Sequence, residues 1–147
     1  MTNDTSVVYR LFEREVPEIA AGIIQIRGIA RRTGIRSKVA VFSGGDSEQI
    51  DCVGTCVGER GIRIKRIVDA LGGERFDILR WNDSPEVLIA NALQPADVEQ
   101  VVLHPAEHRA VVFAKSVQFH LANGRDGMNR QLASELSGWQ IQVEELP

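Results

Sequence analysis

Aromatic side chains are scarce in this chain: five Phe, two Trp and one Tyr among 147 residues. That leaves no supply for the base-stacking platforms of RRM or OB folds. Cysteine is limited to Cys52 and Cys56, one helical turn apart in an apolar segment. With no second pair and no nearby His, they support neither a disulfide framework nor a zinc site, and they read as buried free thiols of a reducing compartment. No apolar run approaches the ~18 residues of a membrane span, and the N-terminus has no signal-peptide core, so the expected location is the cytoplasm, away from membranes. Excess positive charge is also missing, with 17 Lys/Arg against 20 Asp/Glu. What is present is ordinary for a folded domain: 44% hydrophobic and 25% charged residues exclude a disordered chain.

The charge is unevenly divided. Residues 1–81 hold 13 Lys/Arg and 11 Asp/Glu, whereas residues 82–147 hold 4 and 9. Arg27, Arg31, Arg32, Arg36 and Lys38 fall in one stretch without an acid, and Arg60, Arg63, Lys65 and Arg66 form a second cluster. Local patches, rather than the total, decide attraction to phosphate over a screening length of about 8 Å. Arg31 and Arg32 read as solvated surface bases.

Hydrophobic periodicity divides the chain at about residue 81 into two runs of the same order. Val7, Val8, Leu11, Phe12 and Val16 follow a helical period that Pro17 should end. Ile23 to Arg31 and Lys38 to Phe42 read as a hairpin across Thr33-Gly34. Helices follow at Cys52 to Val57 and Ile62 to Leu71, then a strand from Phe76 to Trp81. The order repeats with a helix opened by Asp83-Ser84-Pro85 and a hairpin from Val98 to Leu103 and Ala110 to Ala114. It is completed by helices at Ser116 to Asn123 and Met128 to Leu136, and a strand from Trp139 to Val143. The expectation is an α+β fold of two modules, 1–81 and 82–147, each α-β-β-α-α-β with a small sheet covered on one face by helices.

Between the paired helices of each run stands a Gly-x-x-Gly turn: Gly58-Glu59-Arg60-Gly61 in the first and Gly124-Arg125-Asp126-Gly127 in the second. Glycines three apart let a main chain approach a polyanion closely, and the helix behind aims its unpaired N–H groups at the same place. Two such turns in the same order of elements point to a tandem of KH modules, whose Gly-x-x-Gly loop clamps a single-stranded nucleic-acid backbone.

Longer stretches carry a closer resemblance. Leu11 to Ile19, Ile29-Ala30-Arg31, Arg36 to Val41, Val53 to Gly58, Asn91 to Ala96 and Leu136-Ser137-Gly138-Trp139 together resemble the KH tandem of the NusA family of bacterial transcription termination/antitermination proteins. The resemblance covers nearly the whole chain. It implies type II KH modules packed as one unit, non-enzymatic and without a cofactor or small-molecule substrate. The implied partners are single-stranded RNA and the elongating RNA polymerase complex, during pausing, termination and antitermination. The family's polymerase-binding and S1 domains, which precede the tandem, are not among these 147 residues. Cys52 and Asn123 depart from the family's usual Pro and Ile, and Met128 and Gln131 from its usual Gln and Arg.

The residues expected to hold RNA follow from the loops. In the first module the N–H groups of Gly58, Glu59, Arg60, Gly61 and Ile62 would face a phosphate, with Arg60 and Arg63 adding charge. Val57, Ile62 and the Val39-to-Phe42 strand would floor the base groove, with Arg36 and Lys38 at its rim. In the second, Gly124, Arg125, Asp126, Gly127 and Asn129 would do the same. There Asp126 places a carboxylate beside the phosphate path, opposing binding by about 1 kcal/mol in water. The first module is therefore expected to carry most of the affinity. The alternative is a protein-interaction scaffold that keeps the fold and binds little RNA. His104-Pro105-Ala106-Glu107-His108 matches a metalloprotease pattern on paper, but Pro105 between two strands reads as a hairpin tip. Ser43-Gly44-Gly45 lacks the Lys-Ser/Thr of a phosphate-binding P-loop.

Overall fold

A computed structural model describes residues 4–147. The chain divides into two compact units, Met1–Trp81 and Asn82–Pro147. In the first, α1 (Ser6–Glu15) starts where the Asp4 carboxylate accepts hydrogen bonds from the Ser6 amide and hydroxyl. It buries Val8 and Phe12, one turn apart, on its inner face. Pro17 does more than end that helix. It opens a second short one, α2 (Pro17–Ala20), at the position where a missing N–H removes nothing the helix needs.

β1 (Gln25–Arg32) pairs antiparallel with β2 (Arg36–Phe42), and β2 pairs parallel with β3 (Arg75–Arg80). The parallel pair is joined through α3 (Cys52–Val57) and α4 (Ile62–Ala70), because parallel strands need a crossover of a dozen or more residues. The second unit repeats the plan. α5 (Pro85–Ala92) precedes β4 (Gln100–His104) and β5 (Arg109–Lys115), which pair antiparallel. α6 (Ser116–Asn123) and α7 (Met128–Ser137) lead back to β6 (Gln140–Leu146), parallel to β5. This is the α+β, α-β-β-α-α-β order read from the periodicity.

In both sheets the hairpin's second strand is central. Val39, Ala40 and Val41 of β2 are fully buried, and Val39 and Val41 pack with Phe12, Ile24, Cys52 and Ile67. In the second unit Ala110, Val112 and Ala114 are the buried alternate positions of β5, and Leu132 and Ala133 of α7 and Ile141 of β6 are buried as well. Burial, with the neighbouring Cys52 adding to it, pushes the Cys56 thiol up to about 12, so the free cysteines are core residues rather than nucleophiles.

One buried charge cluster ties the first sheet together. Arg31, expected at the surface, is 7% exposed, and its Nε and Nη2 both donate to the wholly buried Glu74 carboxylate. The same carboxylate accepts from the Gly34 amide at 2.9 Å and the Ser37 hydroxyl at 2.8 Å. Glu74 thereby joins the β1–β2 turn to the start of β3. Burial alone would raise its pKa; the hydrogen bonds from Arg31, Gly34 and Ser37, with the Arg31 charge, outweigh that and hold it below the usual carboxylate value of 4.5. A carboxylate depressed on folding stabilises the native state above its unfolded pKa and loses that contribution as pH falls through the lower folded value. Glu74→Gln should therefore lower urea-measured stability by about 3 kcal/mol at pH 7. The gap from wild type should narrow as pH falls below the carboxylate range.

Candidate nucleic-acid interface

The two Gly-x-x-Gly turns have one backbone. Gly58 sits at φ 81°, ψ 168° and Gly124 at φ 72°, ψ 178°, a region open in practice only to glycine. The third residue of each turn is left-handed, Arg60 at φ 55° and Asp126 at φ 57°, and Gly61 and Gly127 follow at φ 73°. Charges alternate on this shared frame: Glu59 then Arg60 in the first loop, Arg125 then Asp126 in the second, all exposed. The acid in the second loop thus has a counterpart in the first, and the loops alone do not rank the modules.

Close packing behind each turn explains the first glycine. A Cβ on Gly58 would lie 2.8 Å from Cγ of Arg63, and one on Gly124 would lie 2.7 Å from Cβ of Asn129. Arg63 and Asn129 each stand five residues after that glycine, in the first turn of the following helix, and each braces the helix before the loop. Arg63 donates to the Thr55 carbonyl and to the Glu18 carboxylate, both at 2.9 Å. Asn129 donates through Nδ2 to the carbonyls of Leu93, Leu121 and Ala122. These bonds satisfy carbonyls that a helix end leaves open. Both were expected to face RNA. Instead Arg63 is half-buried and committed, and Asn129 is 4% exposed with its Oδ1 buried and unpartnered. They are positioning residues.

Further expected contacts are placed elsewhere. The Gly58 amide bonds Gly54, the Gly61 amide bonds Gly58, and the Ile62 amide bonds Glu59. Of the five amides expected to face a phosphate, those of Glu59 and Arg60 are the ones not committed to these bonds. Gly124, Gly127 and Met128 are engaged in the same way, leaving Arg125 and Asp126. The Val39-to-Phe42 strand does not floor a groove, because Val39, Ala40 and Val41 are fully buried. Lys38 is fully buried with Nζ 2.8 Å from the Asp77 carboxylate, and burial, only partly offset by Asp77, pushes its ammonium pKa down. Arg36 grips the same carboxylate through Nε and Nη2. Neither lines a rim; both neutralise Asp77. Ile62, by contrast, is 44% exposed.

An open groove lies along the last strand of the second module. In the second module a cavity of about 320 Å³ is lined by Asn123 and Arg130 from the helices, Gln140 to Val143 of β6, and Arg109 of β5. β6 is an edge strand whose outer main-chain groups have no strand partner in its sheet. Arg130 was not singled out from the sequence, yet its Nη2 would lie 3.0 Å from a Cβ on Gly127. It brings a guanidinium to the back of the loop, and it sits three residues past the motif, the one signal that could have flagged it. At the hairpin tip, Pro105–Glu107 forms a 3-10 turn, and His108 stacks on Trp139 with ring centroids 4.2 Å apart. Among the described residues no cluster of His, Cys, Asp or Glu is placed to hold a metal.

Comparison with known families decides the identity. Residues 2–81 match the NusA-like first KH domain, and residues 85–147 match the NusA-like second KH domain. The chain belongs to the NusA-like KH family. Its relatives include the transcription termination/antitermination protein NusA of Halalkalibacterium halodurans and that of Bacillus subtilis, each 42% identical over 92% of this chain. That of Thermus thermophilus is 44% identical over the same share. The chain spans 35%, 36% and 34% of those relatives' lengths, respectively. The crystal structure of APE1850 shares the fold, with a TM-score of 0.62 at 20% identity over 95% of this chain and 96% of that one.

In this NusA-like tandem the loop glycines should be unequal to the other left-handed glycines. Gly138 also has positive φ, at 78°, but a Cβ there meets nothing within 4 Å. Gly138→Ala should lower stability by about 1 kcal/mol. Gly124→Ala, with backbone strain and a collision at Asn129, should lower it by about 3 kcal/mol or more. Thermal or urea unfolding of the two variants side by side checks the difference.

Proposed function

We propose that each module clamps a segment of single-stranded RNA. A phosphate sits against the free amides of the Gly-x-x-Gly turn, and bases lie along the groove between the helix pair and the last strand. The observation that carries this reading is the repeated cradle: two loops of unlike sequence share one backbone, held without Cβ atoms against the helix behind. Phosphate contacts position a strand without reading it, whereas the groove meets base edges. The family's setting extends the proposal to the nascent transcript at an elongating RNA polymerase, where such binding would act on termination and antitermination. The role is one of binding rather than catalysis. With Arg130 behind the second loop, both modules contribute, in place of the dominance of the first expected from sequence.

Two substitutions test the cradles without disturbing their backbones, because each installs a residue type the other loop already carries. Arg60→Asp copies Asp126, and Arg125→Glu copies Glu59. Each leaves its loop with two acids and should raise Kd for a single-stranded RNA about tenfold. Each should also flatten the slope of log affinity on log salt by about 0.7. Filter binding or fluorescence anisotropy across a salt series reads both. RNA binding that neither variant weakens, or no RNA binding at all, would favour the protein-interaction scaffold.

A further inference from the structure

We infer that the groove of the second module selects a guanine base, with Arg130 and Asn123 as the reading residues; this rests on the RNA-binding role proposed above. The argument begins with an internal comparison. Asn123 and Arg130 stand 66 residues after Val57 and Ile64, at the same places relative to the glycines. Where the first module offers two hydrocarbon side chains beside its loop, the second offers an amide and a guanidinium.

Two of the groove's donors are already occupied, and two are open. Arg109 is engaged by Glu107 at 2.8 Å, and the Gln142 amide nitrogen is held by Glu144. Arg130, half-buried, has no ion pair or hydrogen bond among the described residues. Asn123 uses one N–H on the Phe119 carbonyl at 3.3 Å, which leaves its second N–H and its Oδ1. A guanidinium carries five donors and no acceptor. Its planar fork matches two adjacent acceptors, O6 and N7 of guanine, and the amino group that adenine or cytosine presents would meet it donor to donor. The cavity, about 320 Å³, lies at the small end of ligand pockets and suits one base rather than a length of strand.

The test uses the whole chain and four single-stranded RNAs that differ only in one central base, A, C, G or U, in an otherwise uniform adenine-free pyrimidine host. Wild type should bind the G-containing strand about tenfold more tightly than the other three. Arg130→Ile should abolish that preference while weakening the other strands much less. Asn123→Val should reduce the preference and leave the salt slope unchanged, since no charge is lost. Wild-type binding without a G preference overturns the inference. So does an Arg130→Ile chain that loses equal affinity for all four strands, which would make Arg130 a phosphate contact only. Failure of wild type to bind any of the four overturns the RNA-binding role itself, and is distinguished by the absence of signal rather than of preference.

Discussion

The hydrogen atom that serves as side chain at Gly58 and Gly124 is the constraint on which both modules are built. It lets the loop main chain lie directly on the first turn of the next helix, at a distance no Cβ would permit. The helix behind can then send a polar side chain back to the carbonyls of the helix before, Arg63 in one module and Asn129 in the other. Loop, preceding helix and following helix become one rigid corner, and the two amides left over are fixed at its tip. The corner is set by backbone geometry, which explains why the loop's own side chains can exchange acid for base between the modules.

Four of the first module's basic residues serve its fold. Arg31 is spent on Glu74, Arg36 and Lys38 on Asp77, and Arg63 on Glu18. Counting Lys and Arg along the chain therefore overstates the cation density available to a polyanion. A buried carboxylate that accepts from several donors at once links strand to turn in a way apolar contacts do not specify. Losing either member of the Arg31–Glu74 pair would strand the remaining charge in the interior. The second module has fewer bases and keeps one of them, Arg130, beside its loop and groove.

Much of the fold is legible in the sequence because its punctuation is local. Asp51 caps α3 at the Gly54 amide, glycines follow α3 and α6, and Pro85 opens α5. Pro17 shows the limit of that punctuation, since a proline that ends one helix can open another at once. The cradle glycines are equally legible, as a spacing. The partners of Arg31, Arg36, Lys38 and Arg63 are not. Their acids lie roughly forty residues away in sequence, and only the parallel register of β2 and β3 brings Lys38 opposite Asp77. Which strand edges the groove is hidden for the same reason. A run such as Val39-Ala40-Val41 reads alike at the centre of a sheet or along an open face, and strand order decides between them.

Amide resonances followed by two-dimensional NMR as single-stranded RNA is added test the central claim most directly. The cradle account predicts the largest shifts at the Glu59, Arg60, Arg125 and Asp126 amides, with a second set along the edge strands β3 and β6. It would be contradicted if those four amides stayed in place while RNA moved resonances on other surfaces.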